Sequence, residues 1–316
     1  MSRNCHISSR KFALTGVVDI GTSRPDCCAP DGAGSHLSGP AACGAAEVLM
    51  RQRAPIVRRV SLYLCGLGLI AACGGPASAE NAARAQKEYE LSVGLLGEQN
   101  IPAAFEHLFK ARDLDPRNPE PHQLLGNLYM MRGDLAKAEA ELRTSKSLAE
   151  KNESYGPPFV AEVENSLGVV LVHQKRYDEA ILVLRETASN ILNRSPHLAW
   201  GNLGWAYYEK AQYTDAVSAL LQSIRHQNRF CLGYYRLGQA YLALREFERA
   251  DEALTQCLEV PAEACQNLQD AWHLRGQARA RLGQRDDAIR DFERCVELAA
   301  GTSAGRACQG YLEATN

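Results

Sequence analysis

Six alanines recur at one station along this chain: Ala104, Ala138, Ala180, Ala216, Ala250 and Ala288, separated by 34, 42, 36, 34 and 38 residues. Four positions after each stands a large apolar residue: Leu108, Leu142, Leu184, Leu220, Leu254 and Phe292. Twelve positions before each stands a small one: Ser92, Gly126, Gly168, Gly204, Gly238 and Gly276. An i, i+4 pair lies on one face of a helix, and a small residue opposite a large one lets two antiparallel helices close on each other. A unit of that size cannot bury its apolar face alone, so neighbouring units must stack into one continuous core.

The fourth unit contains Trp200-Gly201-Asn202-Leu203-Gly204-Trp205-Ala206-Tyr207. Its W-x2-LG-x2-Y spacing resembles the first-helix signature of the tetratricopeptide repeat, whose period is about 34 residues. The resemblance implies an all-α fold, a right-handed α-solenoid of about six helix pairs with a C-terminal capping helix. The repeats fall at about 85–118, 119–152, 161–194, 197–230, 231–264 and 269–302, with the cap at 303–314. Pro116 and Pro261 stand where the first and fifth repeats close, as suits a residue that cannot continue a helix. The first repeat departs from the pattern with Ser92 for Gly and Glu88 for Trp, and the sixth with Arg275 and Arg279 where Leu and Tyr belong. Insertions are expected around Gly156-Pro157-Pro158 and over 262–267.

With 35 basic and 37 acidic residues the net charge is only -2, so the chain as a whole carries no nucleic-acid footprint. The 46% hydrophobic content suffices for a continuous core.

The front of the chain follows other rules. Residues 1–49, rich in Gly, Ser, Ala, Pro and Cys, show no sustained period and are expected to be disordered, or an extension ahead of a true start at Met50. From Met50 the chain runs through Arg51, Arg53, Arg58 and Arg59 into the apolar stretch Val60 to Ala72, then Cys73. A basic segment, then 7–15 apolar residues, then small residues is the layout of a secretory signal peptide. The ending Leu69-Ile70-Ala71-Ala72-Cys73 resembles the bacterial lipobox. That resemblance implies a signal peptide over 50–72, acylation of Cys73 and a tether over 73–80. With Gly74 rather than Asp in second place, it also implies an outer-membrane address. Acyl chains anchor a protein durably when more than one is attached.

Catalytic constellations find no support. Gly301-Thr302-Ser303-Ala304-Gly305 fits G-x-S-x-G, yet it follows a helical pattern and no His lies after it. The nucleophile elbow needs a strand before it and acid–base partners beyond, so Thr302 or Ser303 is read as a helix cap. The eight histidines form no ligand pair at metal spacing, and Cys27, Cys28, His36 and Cys43 match no zinc pattern. No enzyme, cofactor, metal or small-molecule substrate is expected.

Of 11 cysteines none lies between Cys73 and Cys231. Cys257 and Cys295 sit late in the second helices of repeats five and six and fit either as small buried hydrophobes or as half-cystines in an oxidising compartment. On the second reading Cys257 pairs with Cys265 around a turn and Cys295 with Cys308 on the capping helix, leaving Cys231 over.

In the tetratricopeptide family the concave groove is lined from positions 2, 5, 9, 12 and 13 of each first helix. Carried over, those positions are Tyr89, Gln123, Asn127, Met130, Asn165, Val169, Trp205, Tyr208, Tyr235 and Gln239. Aromatic residues there would anchor a partner segment and amides would bond its backbone. Lys and Arg are missing from these positions, which argues against a clamp for terminal carboxylates.

Anchor, tether and six repeats together resemble the outer-membrane lipoproteins that serve type IV pilus secretins, the pilotins of the PilF/PilW and Tgl kind. Leu198 to Tyr208 and Phe230 to Gly238 carry the likeness to Tgl. It implies a non-catalytic adaptor and chaperone for secretin assembly, lipid-anchored on the periplasmic side of the outer membrane. The alternative is a scaffold for other envelope proteins, hydrolases or outer-membrane assembly machinery.

Overall fold

Helices make up all the regular structure among the described residues, 76–315 of the computed structural model. Residues 1–49, the signal-like segment 50–72 and Cys73 lie outside them. Six antiparallel pairs follow one another: α1 (Pro76–Gly97) with α2 (Ile101–Leu114), α3 (Pro119–Met131) with α4 (Leu135–Glu150), and α5 (Pro157–His173) with α6 (Tyr177–Ser189). Then come α7 (Pro196–Glu209) with α8 (Tyr213–His226), α9 (Cys231–Ala243) with α10 (Phe247–Glu259), and α12 (Gln269–Arg281) with α13 (Arg285–Ala299). The one-turn α11 (Glu263–Gln266) occupies the second insertion, and α14 (Ser303–Thr315) closes the array. Helix α1 starts at Pro76, inside the stretch read from the sequence as tether.

The alanine phase has a geometric cause. A Cβ on Gly168 would lie 2.4 Å from Leu184 Cγ, and one on Gly276 would lie 2.8 Å from the Phe292 ring. Each glycine of the series thus receives the large residue sixteen positions on, and the alanine between them packs at 0% exposure. In the first repeat Ser92 takes this place, buried, with its hydroxyl donating to Tyr89 O at 2.6 Å.

The turns inside the repeats obey a second phase that the sequence hides. Gln99, Gly133, Lys175, Ala211, Arg245 and Gly283 all have φ between 60° and 78°. Each stands five residues before its alanine. The N–H of the next residue reaches back over the turn, as from Arg176 to Leu171 O and from Gln212 to Tyr207 O, both at 2.9 Å. This is the Schellman ending, in which one left-handed residue reverses the chain and satisfies an orphan carbonyl.

Proline at the first helical position sets the entry of α3, α5 and α7. The Gly-Pro-Pro insertion is fixed by Tyr155, whose hydroxyl donates to Asn118 Oδ1 at 3.0 Å while its ring packs on Phe159. Arg275 and Arg279, the departures of the sixth repeat, converge on Asp291 within the core. Thr302 caps α14, accepting from the Gly305 N–H at 2.9 Å.

The cysteine pairing needs correcting. Cys265 bonds Cys231, with Cα atoms 5.9 Å apart, and among the described cysteines Cys257 is the free thiol. Ala250, Ala253, Leu254 and Cys257 share the inward face of α10, which turns Cys257 into the apolar core beside Tyr234, Tyr235 and Trp272. Helix α11 instead carries Cys265 back over the start of α9. Burial pushes the Cys257 thiol up to about 12, so it stays protonated and unreactive. Cys295 bonds Cys308, tying α13 to α14.

Candidate functional site

First helices of successive repeats lie side by side, α5 against α7 and α7 against α9, which brings their groove positions onto one surface. Side chains on that surface fall into two sets. Asn127, Met130, Asn165 and Val169 are 6–8% exposed and form its floor. Tyr89, Gln123, Trp205, Tyr208, Tyr235 and Gln239 stay half-buried.

A polar ladder crosses repeats three to five. Asn202 Nδ2 donates to Asn165 Oδ1 at 3.0 Å, and Arg236 Nη1 donates to Asn202 Oδ1 at 2.9 Å and to Gly201 O at 3.2 Å. All three residues are buried. The Arg236 guanidinium lies 4.8 Å from the centre of the Trp205 ring, whose other contacts are the His173 ring edge at 5.0 Å and a hydrogen bond from Nε1 to Glu209. A cation over the indole face holds the ring in place, so Trp205 presents a fixed platform. Gln239 Nε2 donates to the Tyr235 hydroxyl at 3.1 Å.

Asn202 and Arg236 were not among the expected groove residues. They stand two positions before the repeat glycine, where Leu124 and Leu274 stand in other repeats. A polar residue replacing leucine at that station was the available signal.

Asn127 differs from these amides. Its Oδ1 is buried and accepts no hydrogen bond among the described residues. Leaving such an acceptor unpaired is costly, and a backbone N–H from a bound segment would satisfy it. At the N-terminal end burial, then Glu120, Tyr155 and Glu162, raise the Tyr89 phenol above its ordinary range. Burial and Asp270 do the same for Tyr235. Both phenols therefore remain neutral donors at pH 7. At the C-terminal end a cleft of about 500 Å3 opens among Leu242, Arg245, Phe247, Arg281, Phe292 and Tyr311. Its two arginines lie outside the groove residues read from the sequence. Among the described residues no cluster of three His, Cys, Asp or Glu could hold a metal ion.

Tetratricopeptide-repeat models match residues 95–155, 199–232, 233–263 and 269–301. The chain is 30% identical over 148 residues to cilia- and flagella-associated protein 70 of Homo sapiens, covering 46% of this chain and 12% of that one. It is 28% identical over 136 residues to the type IV pilus assembly protein PilF of Pseudomonas aeruginosa, covering 43% and 51%. The chain thus spans between about an eighth and about half of the curated relatives it matches. In structure it is similar to PilW, a type IV pilus biogenesis factor, with a TM-score of 0.60 at 16% identity over 71% of this chain and 97% of that one. Against the P. aeruginosa PilF structure the TM-score is again 0.60, at 20% identity over 73% and 99%. At such identities the likeness is one of fold. With the matched repeats and the phased helix pairs, the described part of this chain is a tetratricopeptide-repeat array.

Proposed function

We propose that the protein is a non-catalytic outer-membrane lipoprotein that serves as adaptor and chaperone for assembly of a type IV pilus secretin. One observation carries the reading: its array corresponds in fold to nearly the whole of PilW and PilF, at 97% and 99% of those chains. Acyl chains on Cys73 hold the array at the inner leaflet of the outer membrane. The groove, with Trp205 and Tyr208 as anchors and Asn127 as a waiting acceptor, takes a segment of the secretin subunit. It keeps that subunit from edge-to-edge aggregation until the multimer forms. The second reading is a scaffold for other envelope proteins. It rests on the repeat fold alone, because one fold serves many unrelated functions.

The test is a pull-down of the processed chain, from Cys73 on, out of detergent-solubilised envelope. Trp205→Ala with Tyr208→Ala is the comparison, and circular dichroism confirms that both forms fold. Recovery of a pilus secretin by the native groove alone supports the first reading. A different envelope protein in its place removes the pilotin role and leaves the scaffold. Equal recovery by both forms removes the groove.

A further inference from the structure

The connection from α6 to α7 exposes aliphatic groups that a soluble loop ordinarily hides. Ile191 is 95% exposed and Leu192 51%. Two asparagines hold them out. Asn190 Oδ1 accepts from the Leu192 N–H at 2.9 Å. Asn193, itself 8% exposed, donates through Nδ2 to Thr187 O at 3.0 Å and accepts from the Ser195 N–H at 2.8 Å. The turn is therefore built from inside, and its apolar tip is not a product of slack.

The neighbouring connection, from α8 to α9, lies beside it. Ser223 Oγ donates to His197 O at 2.7 Å, and the His197 ring meets Phe230 edge-on at 5.2 Å. Around this edge Arg194, Arg225, His226 and Arg229 are exposed. Arg194, Arg225 and Arg229 make no ion pair among the described residues, whereas Arg143, Arg176, Arg249 and Arg279 all do. Leu221, 40% exposed, lies one turn before Arg225 on the same face of α8. No Asp or Glu occurs over residues 187–208 or 216–245; Glu186 on α6 stands just outside the first stretch. In a chain of net charge -2, this edge is a local cationic field around an apolar tip.

We propose that this edge rests on an anionic bilayer surface, with Ile191 and Leu192 entering below the headgroups and Arg194, Arg225 and Arg229 pairing with anionic lipid. Aliphatic groups set among basic residues are the elements that hold a peripheral protein at a membrane. A protrusion suits a fluid surface, which closes around it, whereas a folded acidic partner would need a matching pocket. The contact is independent of what the groove binds, and it would orient the array against the membrane.

The experiment uses the full chain with Ile191→Trp, mixed with vesicles whose acyl chains carry bromine, a contact quencher of indole. Wild type supplies the background from the three native tryptophans. With brominated phosphatidylglycerol mixed into phosphatidylcholine, the variant is expected to lose distinctly more fluorescence than wild type. Adding Arg194→Gln, Arg225→Gln and Arg229→Gln should lower the partition coefficient roughly tenfold or more, and so should 0.5 M salt. Because the readout is the depth of position 191, attachment through any other part of the chain does not imitate it. No excess quenching in anionic vesicles overturns the proposal and leaves an acidic protein as the candidate occupant. Excess quenching that is equal in pure phosphatidylcholine, or unmoved by the arginine changes, overturns the anionic part of it.

Discussion

Arg275 holds Asp291 through two parallel hydrogen bonds, Nε to Oδ2 at 3.0 Å and Nη2 to Oδ1 at 2.7 Å, with the carboxylate side chain 2% exposed. Arg279 adds a third bond to Asp291 at 3.0 Å and reaches across to Asp251 of the preceding repeat at 2.7 Å. Arg275 also stacks over Trp272, 4.6 Å from the ring centre. Repeats two to five place a buried leucine just before the repeat glycine, Leu125, Leu167, Leu203 and Leu237. The sixth places Arg275 there and fills the site with an ionic network that reaches the fifth repeat through Arg279 and Asp251. Removing one member of such a network leaves uncompensated charge in the core. We expect Asp291→Ala to cost about 3–5 kcal/mol, read as a lowered urea midpoint. A change under about 1 kcal/mol would mean that water already reaches the pair.

The disulfides make a prediction about individual cysteines. Among the five cysteines of the described residues, non-reducing peptide mapping should find Cys231 joined to Cys265 and Cys295 to Cys308, with the Cys257 thiol reactive only after unfolding. The first bridge closes a separation of 34 residues. On chain-entropy grounds Cys265→Ser should cost about 3–4 kcal/mol. A map pairing Cys257 with Cys265 would contradict the structure.

Ala211 sits at φ 62°, exposed, in the turn between α7 and α8. A left-handed residue with a Cβ is strained by about 1–2 kcal/mol, while glycine is not but loses more chain entropy on folding. Ala211→Gly should therefore stabilise the array by about 0.5–1 kcal/mol, seen as a raised melting temperature. Destabilisation would argue against the left-handed turn.

Gly168 is the converse case. Its missing Cβ leaves room for Leu184, which a substituent would meet at 2.4 Å. Gly168→Ala should cost about 1–3 kcal/mol through overpacking, and Gly168→Ala with Leu184→Ala should not be worse than Leu184→Ala alone. Strict additivity of the two would mean that they do not touch.

Glu139 supplies the pH dependence. Burial disfavours its charge, but hydrogen bonds from Arg176, Gln174 and Arg143 outweigh that and hold its pKa at about 2, against an ordinary 4.5. Between those values the unfolded chain binds the proton that the folded one refuses, so stability falls as pH drops from 4.5 toward 2. Glu139→Gln should flatten that part of the profile, and an identical acid response in both proteins would show that Glu139 does not contribute.

Much was legible before any coordinates, because the repeat is written in steric terms. Gly168 and Leu184 must meet, so their spacing alone announces two antiparallel helices, and six such pairs announce a solenoid. Position in a helix dictates face, so Trp205, Tyr208 and Tyr235 could be assigned from the sequence to faces of their helices, and the tetratricopeptide resemblance named those faces as the groove. Contacts between units were not legible. Whether Cys265 meets Cys231 or Cys257 depends on how α11 folds back, and Cβ spacing along a chain carries no such information. The ladder from Asn165 through Asn202 to Arg236 links residues 34 and 37 apart in sequence, and only the stacking of first helices puts them within hydrogen-bond reach. The burial of Asn127, Met130, Asn165 and Val169 is likewise set by the neighbouring helices, not by their own. Local periodicity, which acts within a single repeat, determined the elements and their pairing. Packing between repeats decided which side chains share a bond, which are buried, and which remain for a partner.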